Sequence, residues 1–546
     1  MATTEVGASK GEKGEMSANQ EKTIDICFGI FFDGTENNKI QALIGEIQRN
    51  TIGEKNIQEG NNGNVSLKEL MEKQYDEIIK NAEEEKKIYE TVSDNFISEN
   101  DHLSNIIQGF DNLIEKTKIK KEELSTLDHM KLLKKYYKDK DAQKNDRSNI
   151  ALLEPHYKGN DNAENKYRIY VEGCGTEDTP EKASSAGFGT GFGAASTGII
   201  SKVASAINHV NRQIKMHPKS NLQLEFDVFG FSRGAATARN FVWQILKNNV
   251  LEYEKIINVT VNFVGLYDTV SSYGAHMALF KDTSDVKTLH LDAITNVKKV
   301  FQICATDEFR LNFNLTNIKS AINAGKGIEI FIPGAHSDIG GGYAKGKHTV
   351  KLEKGFKYKI FYTNMINNKL QCGVGTDYLT PNGKIDFATL SIENYMKLGW
   401  IAKNAEKVKK YSQLEKHPST YFEDAAYIGF SNDVKKGYSY IGLNLMREDK
   451  DVVERFNEIN SKFEVPEGIL KETKKIIEQN IGKEKYIYKL IEKETGLYEE
   501  LRSNYLHHSA DNTANSGIDI YGLRNIYPKN KPRYMNDLIR RLEIDG

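Results

Sequence analysis

A serine between two glycines is the feature that most constrains the fold of this chain, because of what stands on either side of it. Residues 222–230 (LQLEFDVFG) form an apolar run of strand type, residues 230–234 read GFSRG, and residues 235–242 (AATARNFV) begin as a helix. This order is typical of the nucleophile elbow of an α/β fold, in which a serine projects from a strained turn between a strand and a helix. Side chains at the two glycine positions would collide with the flanking backbone. The pattern therefore predicts Ser232 as a nucleophile.

Four further short runs of β-branched and aromatic residues predict strands, at 24–32 (IDICFGIFF), 167–172 (YRIYVE), 259–267 (VTVNFVGLY) and 328–332 (IEIFI). Charged stretches with helical spacing separate these runs, and helices predicted at 194–216 and 235–248 flank the strand that leads to the serine. Alternating strands and helices favour a mostly parallel sheet covered by helices. We therefore predict an α/β fold of the α/β-hydrolase type.

The chain divides into three parts. Residues 1–22 are rich in Gly, Ser, Glu and Lys and predict a disordered tail. Residues 23–350 form the predicted catalytic core, interrupted at about 39–165 by an inserted helical region dense in Lys, Glu and Asn. Residues 351–546 form a C-terminal region of helices, predicted at 391–410 and 466–489, and mixed structure. We expect this last part to complete the domain and to be a candidate surface for a membrane or a partner.

Composition excludes some classes of function. The 75 basic and 76 acidic residues give a formal charge of −1, so no overall field attracts nucleic acid, and we predict no nucleic-acid partner. The four cysteines, at 27, 174, 304 and 372, are scattered without a C-x-x-C pair, which indicates buried thiols. The sequence shows no secretory signal and no apolar run long enough to cross a bilayer. We therefore expect a protein that is cytoplasmic in the producing cell and needs a dedicated machine for export.

A serine hydroxyl becomes a strong nucleophile only when a base takes its proton and an acid orients that base. In α/β-hydrolases the acid and the histidine follow the serine in that order, at the ends of later strands. Asp268 ends the strand predicted at 259–267, and His336 follows the strand predicted at 328–332. Asp338 is a rival for the acid and His507 is a rival for the base, and spacing alone leaves both alternatives open.

Two backbone donors must face the oxyanion of the intermediate. One is predicted to be the N–H of Arg233, which follows the nucleophile. The other should come from the loop after the first strand, 32–38 (FDGTENN), where Gly34 and Thr35 are the candidates. Asp33 is predicted to hold this loop through Asx-type hydrogen bonds.

No cofactor and no metal ion are predicted. Residues 187–194 (GFGTGFGA) contain a relaxed dinucleotide fingerprint, but they do not directly follow a strand, and no acidic residue stands where a ribose would need it. Asp33, His336 and Asp338 would make a poor site for a hard cation without further carboxylates.

Five blocks of sequence resemble a known family when they are taken in order. FFDGTENN, YVEGCGTE, GFSRGAATAR, GLYDTV and PGAHSDIGGGY resemble the conserved blocks of the bacterial phospholipase effectors of type VI secretion, first lipase-effector class. The resemblance spans about residues 24–343. The hydrolase domain of that family, otherwise uncharacterised, also occurs in fungi. A late pair of segments, 505–509 (YLHHS) and 524–528 (RNIYP), resembles the closing block of the same domain.

The resemblance implies a Ser-Asp-His triad at Ser232, Asp268 and His336 and the hydrolysis of acyl esters in the phospholipid membrane of a rival bacterium, as by a phospholipase A. It also implies delivery on a secretion spike protein to the periplasm or membrane surface of the target cell, and a cognate immunity protein that protects the producer. This sequence departs from the family at Tyr267, where Trp is common, and at His508, where Asp is common. The second departure lies beside His507, so the resemblance assigns the catalytic role to His336.

The sequence is also compatible with two other functions. The chain could be a cytoplasmic esterase or thioesterase that acts on small acyl substrates. It could also be a cargo or adaptor protein of the secretion apparatus that catalyses nothing. Reaction of the serine with a fluorophosphonate distinguishes the last reading from both enzymatic ones.

Overall fold

The computed structural model describes a set of ranges along the chain, and every structural statement below concerns these residues. They are 22–35, 37–39, 42, 46, 144–159, 165–176, 198–218, 220–271, 284–310, 313–358, 379–380, 383–384, 399–400, 406–411, 422–494, 496–509, 534–535, 538–539 and 543–546.

A six-stranded parallel sheet forms the centre of the fold. Its strands are β1 (Thr23–Phe32), β2 (Lys166–Val171), β3 (Asn221–Phe231), β4 (Ile256–Tyr267), β5 (Lys299–Ala305) and β7 (Gly327–Ile332), while the two-residue β6 (Leu315–Thr316) lies outside it. The order across the sheet is β2-β1-β3-β4-β5-β7, and each neighbouring pair is parallel. The predicted α/β class with a mostly parallel sheet is confirmed, and all five predicted strands form close to their expected bounds.

Strand β5 was not predicted from the sequence, and a buried glutamine explains why. Gln302 interrupts the apolar run KVFQICA, which weakens the strand pattern. In the structure this side chain is fully buried, but its amide group donates to Glu329 Oε1 at 2.9 Å and to the Thr316 carbonyl at 3.2 Å, while its oxygen accepts from Thr269 Oγ1. Partners on neighbouring elements therefore make a polar residue acceptable in a central strand.

Helices cover both faces of the sheet. Ten α-helices have described bounds: α1 (Asn149–Leu153), α2 (Ile199–Ile214), α3 (Arg233–Lys247), α4 (Ser284–Thr288), α5 (Lys319–Asn323), α6 (His336–Gly340), α7 (Ser439–Arg447), α8 (Ile469–Asn480), α9 (Tyr488–Ile491) and α10 (Leu497–Asn504). Residues of β1 alternate between two apolar clusters: Ile30 and Phe32 pack with α2 and α3, and Phe31 packs with α1, α7 and α8. Burial on both faces accounts for the continuous apolar sequence of β1.

A second, antiparallel sheet corrects one predicted helix. Its order is β11 (Glu406–Tyr411), β12 (Phe422–Val434) and β8 (Gly346–Tyr358). The helix predicted at 391–410 is therefore wrong at its C-terminal end, where β11 forms, and 391–398 lie outside the described residues. The segment EKVKKY occupies an edge position, and edge strands accept lysines that would be costly in a central strand. Short strand pairs join β9 (Leu379–Thr380) to β10 (Gly383–Lys384), β13 (Tyr534–Met535) to β14 (Leu538–Ile539), and β15 (Glu543–Ile544) to β6.

Several sequence predictions fall outside the described ranges. They include the tail at 1–21, most of the insertion at 39–165, the glycine-rich segment 187–194 and Cys372. The described end of the insertion contains α1 and a 3-10 helix, Glu154–His156. The helix predicted at 466–489 forms as α8 and the start of α9, with a break that contains Gly482 at a φ of +76°.

The described part of the chain contains no helix that combines the length and the apolar character needed to cross a bilayer. Cys27, Cys174 and Cys304 are buried free thiols, as the sequence predicted for cysteines of this spacing.

Candidate active site

Ser232 occupies a strained turn between β3 and α3. Its backbone has a φ of +59° and a ψ of −126°, a conformation that a residue with a Cβ rarely adopts. Backbone hydrogen bonds to the segment after β4 hold it there: the Ser232 N–H donates to the Tyr267 carbonyl at 3.0 Å, and the Val270 N–H donates to the Ser232 carbonyl at 3.2 Å. The surrounding chain thus over-determines a conformation that costs energy, as is common where a side chain is aimed for function.

The two glycines of the GFSRG segment are required by close backbone contacts. A Cβ at Gly230 would lie 2.5 Å from the Gly234 carbonyl oxygen, and a Cβ at Gly234 would lie 2.3 Å from the carbonyl oxygens of both Phe32 and Asp33. These contacts are shorter than any that real Cβ atoms make. The structure therefore confirms that side chains at these two positions would collide with the flanking backbone, as the motif predicts.

The serine lies at the edge of the sheet where parallel strands end. Strand β2 pairs with β1 on one side, and β3 pairs with β1 on the other. The sheet therefore grows in opposite directions from β1, which makes the gap between β1 and β3 a topological switch point. In open α/β sheets, ligands bind outside the carboxyl ends of the strands at such a switch point. Ser232 after β3, the loop after β1, Asp268 after β4 and His336 after β7 all stand at this edge.

Asp268 and His336 form a buried pair at that edge. Asp268 Oδ2 lies 2.5 Å from His336 Nδ1, and Asp268 Oδ1 accepts from the Ala305 N–H at 2.8 Å. A carboxylate at Nδ1 fixes the proton on that nitrogen and leaves Nε2 as the basic atom. Burial lowers the pKa of His336 below its ordinary value of 6.5, while Asp268 acts in the opposite direction.

Aromatic and charged side chains surround the imidazole of His336. Its ring centroid lies 4.6 Å from that of Phe231, at the end of β3, and 5.0 Å from that of Phe313. The backbone N–H of His336 donates to Glu308 Oε2 at 3.2 Å. Arg310 pairs with Glu308 at 2.8 Å and stacks 3.4 Å above the Phe313 ring. Glu308, Arg310 and Phe313 were not predicted from the sequence; because they follow β5, predicting that strand would have identified its loop as part of the site.

A second carboxylate and histidine pair lies beside the first. Asp338 Oδ1 is 2.7 Å from His507 Nδ1, and Asp338 Oδ2 accepts from the N–H groups of His507 at 2.9 Å and Ala335 at 3.0 Å. The His507 ring packs against Tyr343 and His348, with centroids 4.3 and 5.0 Å away. The four residues weighed for acid and base thus sort into two separate pairs, Asp268 with His336 and Asp338 with His507.

The imidazole of His348 is also buried in this region. Its Nε2 donates to the His508 carbonyl at 3.1 Å. Burial, together with the neighbouring His507, lowers the pKa of His348 to about 3, so this ring is neutral at physiological pH.

The loop after β1 is fixed by its own aspartate. Asp33 Oδ1 accepts from the Gly34 N–H at 2.7 Å and from Ser148 Oγ at 2.5 Å, and Asp33 Oδ2 accepts from the Tyr170 hydroxyl at 2.6 Å. Burial raises the pKa of Asp33 to about 6. Because the Gly34 N–H is already engaged with this carboxylate, Thr35 is the candidate donor that remains in the loop. Its Oγ1 accepts from Arg233 Nε at 2.6 Å, which ties the loop to the residue after Ser232.

Asp33, His336 and Asp338, the three groups that the sequence makes a poor metal site, have separate partners. Asp33 is bonded to Ser148 and Tyr170, while His336 and Asp338 belong to different carboxylate and histidine pairs. Within the described ranges, no three or more His, Cys, Asp or Glu side chains form a group that could hold a metal ion.

Comparison with known proteins gives a family match and likenesses to solved structures. Residues 246–356 match the family model described as T6SS, phospholipase effector Tle1-like, catalytic domain, which confirms the resemblance found in the sequence blocks. The matched region contains Asp268, His336 and Asp338 and begins after Ser232. A search of curated proteins finds no match to the chain.

Among solved structures, the chain is similar to the Tle1 effector bound to the VgrG spike from the type 6 secretion system, with 18% identity, a TM-score of 0.53 and 98% of each chain covered. It also aligns with an uncharacterized protein from Pseudomonas aeruginosa at 16% identity and a TM-score of 0.26, over 60% of this chain and 42% of that one. The first likeness supports the α/β fold.

Proposed function

From the match of residues 246–356 to the catalytic domain of Tle1-like phospholipase effectors, we propose that this chain is a serine hydrolase that cleaves acyl esters of membrane phospholipids, as a phospholipase A does. The observation that carries the proposal is the arrangement at the sheet edge: a serine with a φ of +59° between β3 and α3, and an Asp268–His336 pair at the ends of β4 and β7. A strained serine and an oriented imidazole at one sheet edge are the parts that acyl transfer needs.

The proposed mechanism uses the described groups in order. His336 Nε2 accepts the proton of Ser232 Oγ as the oxygen bonds to the acyl carbon, and Asp268 stabilises the imidazolium without taking its proton. The N–H groups of Arg233 and Thr35 face the oxyanion. The imidazolium then protonates the departing lysolipid oxygen, and water, activated by the same imidazole, releases the fatty acid from Ser232.

We assign Asp338 and His507 a positioning role in this mechanism. Asp338 accepts the Ala335 N–H at the start of α6, and His336 is the first residue of that helix. The bonds from Asp338 to His507 therefore anchor the helix that carries the proposed base to the chain segment after α10. In the alternative mechanism, His507 is the base and Asp338 is its acid. That pair has the same geometry as the pair of Asp268 and His336, so mutation of each histidine distinguishes the two mechanisms.

The match to the phospholipase effector family also supports a proposal for where the protein acts. We propose that the protein is carried by a secretion spike protein into a target bacterium, acts at its membrane or in its periplasm, and is inhibited in the producer by an immunity protein. The likeness to an effector bound to a VgrG spike supports the spike as the carrier.

The decisive experiment measures fatty-acid release from phospholipid vesicles that carry different acyl chains at the two glycerol positions. The wild-type protein should release fatty acid, and Ser232→Ala should release less by about 10³-fold or more. Ser503→Ala, which removes a hydroxyl that donates to the Glu500 carbonyl within α10, is the matched control and should behave as wild type. The identity of the released chain gives the position that is cleaved.

The other two functions predict different outcomes. A small-substrate esterase or thioesterase would hydrolyse short soluble esters and leave the vesicles intact. An adaptor without catalysis would release nothing, and a fluorophosphonate would fail to label Ser232. Either result would overturn the phospholipase proposal.

A further inference from the structure

A cleft opens at the end of the sheet away from Ser232. Its volume is about 480 Å³, which lies within the usual range for ligand sites. The lining includes residues at the starts of β5 and β7, together with Glu225 on β3. Ser232 lies seven positions after Glu225 along β3, about 23 Å at the usual rise per residue, so the cleft is too far away to hold the ester that the serine would cleave.

Five cationic side chains line this cleft, and three of them form no ion pair with the described residues. The five are Lys298, Lys299, Lys326, Lys450 and Arg455. Lys299 pairs with Asp449 and Asp451 at 2.7 Å, and Arg455 pairs with Glu225 at 2.7 Å. Among the described residues, no ion pair involves the other three lysines, all of which are exposed. In a chain of formal charge −1, this is a local excess of positive charge.

The backbone that carries these lysines is held in place. The Lys298 N–H donates to the Val261 carbonyl at 3.0 Å, the Lys326 N–H donates to the Ala321 carbonyl at 2.9 Å, and the Lys326 carbonyl accepts from Val300 at 2.8 Å. The Lys299 bridges to Asp449 and Asp451 attach the turn that contains Lys450 to the start of β5. A partner would therefore bind without ordering the cleft first, which lowers the cost of association.

The arrangement of charge decides between a compact anion and an extended one. The three lysines without an ion pair come from three separate segments, and the two carboxylates that line the same cleft, Glu225 and Asp451, are already paired with Arg455 and Lys299. The N–H groups of Gly325 and Lys326 already donate to carbonyls, so the turn offers no amide cradle for a phosphate. Carboxylates spaced along a polypeptide fit this pattern better, because each can reach one lysine.

We propose that this cleft is a docking site for an acidic segment of a partner protein. The site is independent of hydrolysis, since it lies at the opposite end of the sheet from Ser232. The affinity of the cleft for an acidic segment should fall strongly as ionic strength rises, because the lysines are exposed.

The test measures binding of a fluorescent deca-glutamate peptide to the full-length protein by anisotropy at low salt. The triple variant K298Q/K326Q/K450Q should bind at least about tenfold more weakly. The matched control, K471Q/K475Q/K483Q, removes the same charge from exposed lysines outside the cleft and should bind as wild type. Thermal unfolding midpoints verify that both variants are folded, and Lys450→Glu alone replaces the triple variant if that variant is unstable.

Two further binding measurements distinguish an acidic peptide from other anions. Inorganic phosphate and phosphatidylglycerol vesicles are tested against the same variants. The proposal is overturned if the peptide does not bind, if both triple variants lose binding equally, or if only phosphate or vesicles depend on the cleft lysines.

Discussion

The Nδ1 atom of His336 and the Oδ2 atom of Asp268 lie 2.5 Å apart in a pair that joins the start of α6 to the end of β4. Asp268 is fully buried and its other oxygen is bonded to the Ala305 N–H, so the carboxylate cannot turn away from the ring. We expect Asp268→Asn to keep the fold but lower kcat by about 10³- to 10⁴-fold, because an amide favours the wrong imidazole tautomer. Steady-state hydrolysis of a soluble ester measures this, and a loss under tenfold would exclude Asp268 as the orienting acid.

The pH profile should report the same pair. Burial lowers the pKa of His336 below 6.5, and the neutral imidazole is the form that accepts a proton. Activity should therefore persist below pH 6.5 and fall only as the pH drops through the lowered pKa. Because Asp268 raises that pKa, Asp268→Asn should move the acid limb of kcat/KM to still lower pH. An acid limb above 6.5 in the wild-type protein would contradict this reading.

Comparison of the two histidines separates a base from a positioning residue. We expect His336→Gln to lower kcat by about 10³-fold or more, and His507→Gln to lower it by less than about tenfold. Glutamine at 507 retains an N–H that can donate to Asp338, so the anchor of α6 is weakened and not lost. Fatty-acid release and thermal unfolding are measured for both variants. The reverse order of losses would assign the base to His507.

Packing beneath the β1 loop should be sensitive to one methyl group. A Cβ at Gly173 would lie 1.6 Å from the Gly34 carbonyl oxygen. Gly173→Ala should therefore displace the loop that holds Thr35, lowering the free energy of unfolding by about 3 kcal/mol and reducing activity. Gly482→Ala is the control: its Cβ meets no atom within 4 Å, and its φ of +76° should cost only about 1 kcal/mol. Equal unfolding midpoints for the two variants would refute the contact.

A buried carboxyl on the central strand should make stability depend on pH. Burial raises the pKa of Asp227 from 3.8 to about 6, although the Tyr157 hydroxyl donates to it at 2.7 Å. The folded protein therefore holds this proton more tightly than the unfolded chain. Its contribution to stability is complete below pH 3.8 and is lost as the pH rises through about 6.

Asp227→Asn removes this titration. Between about pH 4 and about pH 7, the unfolding free energy of the variant should fall by about 2 to 3 kcal/mol less than that of the wild-type protein. Urea denaturation at several pH values measures the difference, with the exposed Glu467→Gln as the control. Asp33, whose pKa is also near 6, titrates in all three proteins and cancels in the comparison. Parallel stability curves for wild type and Asp227→Asn would rule out the linkage.

The fold was predictable where a short segment of sequence is enough to indicate a strand or a turn. The apolar runs gave five of the six strands of the central sheet, and the elbow was visible because a strand, two glycines and a helix start are adjacent. β5 could not be found in this way, since the partners that satisfy Gln302 come from Thr269, Thr316 and Glu329 on other elements. The charged segment that forms β11 has the same composition as a surface helix, and only its pairing with β12 makes it a strand.

The candidate site was predictable as a set of residues but not as a set of pairs. Spacing left Asp268 and Asp338 as rivals for one role, whereas the structure gives each its own histidine. Glu308 and Arg310 had no motif to reveal them, because their contribution is contact with His336 and Phe313 after folding. The Gly34 amide was a reasonable donor from sequence, and only the geometry of the loop shows that the Asp33 carboxylate accepts its hydrogen.

The bond between Asp338 and His507 joins residues 169 positions apart, and this separation has a consequence for synthesis of the protein. A ribosome must add 169 residues after Asp338 before His507 joins the chain. The nascent chain therefore contains Ser232 and Asp338 before the anchor of the helix that carries the proposed base can form. The order of synthesis makes this anchor a late contact in the folding of α6.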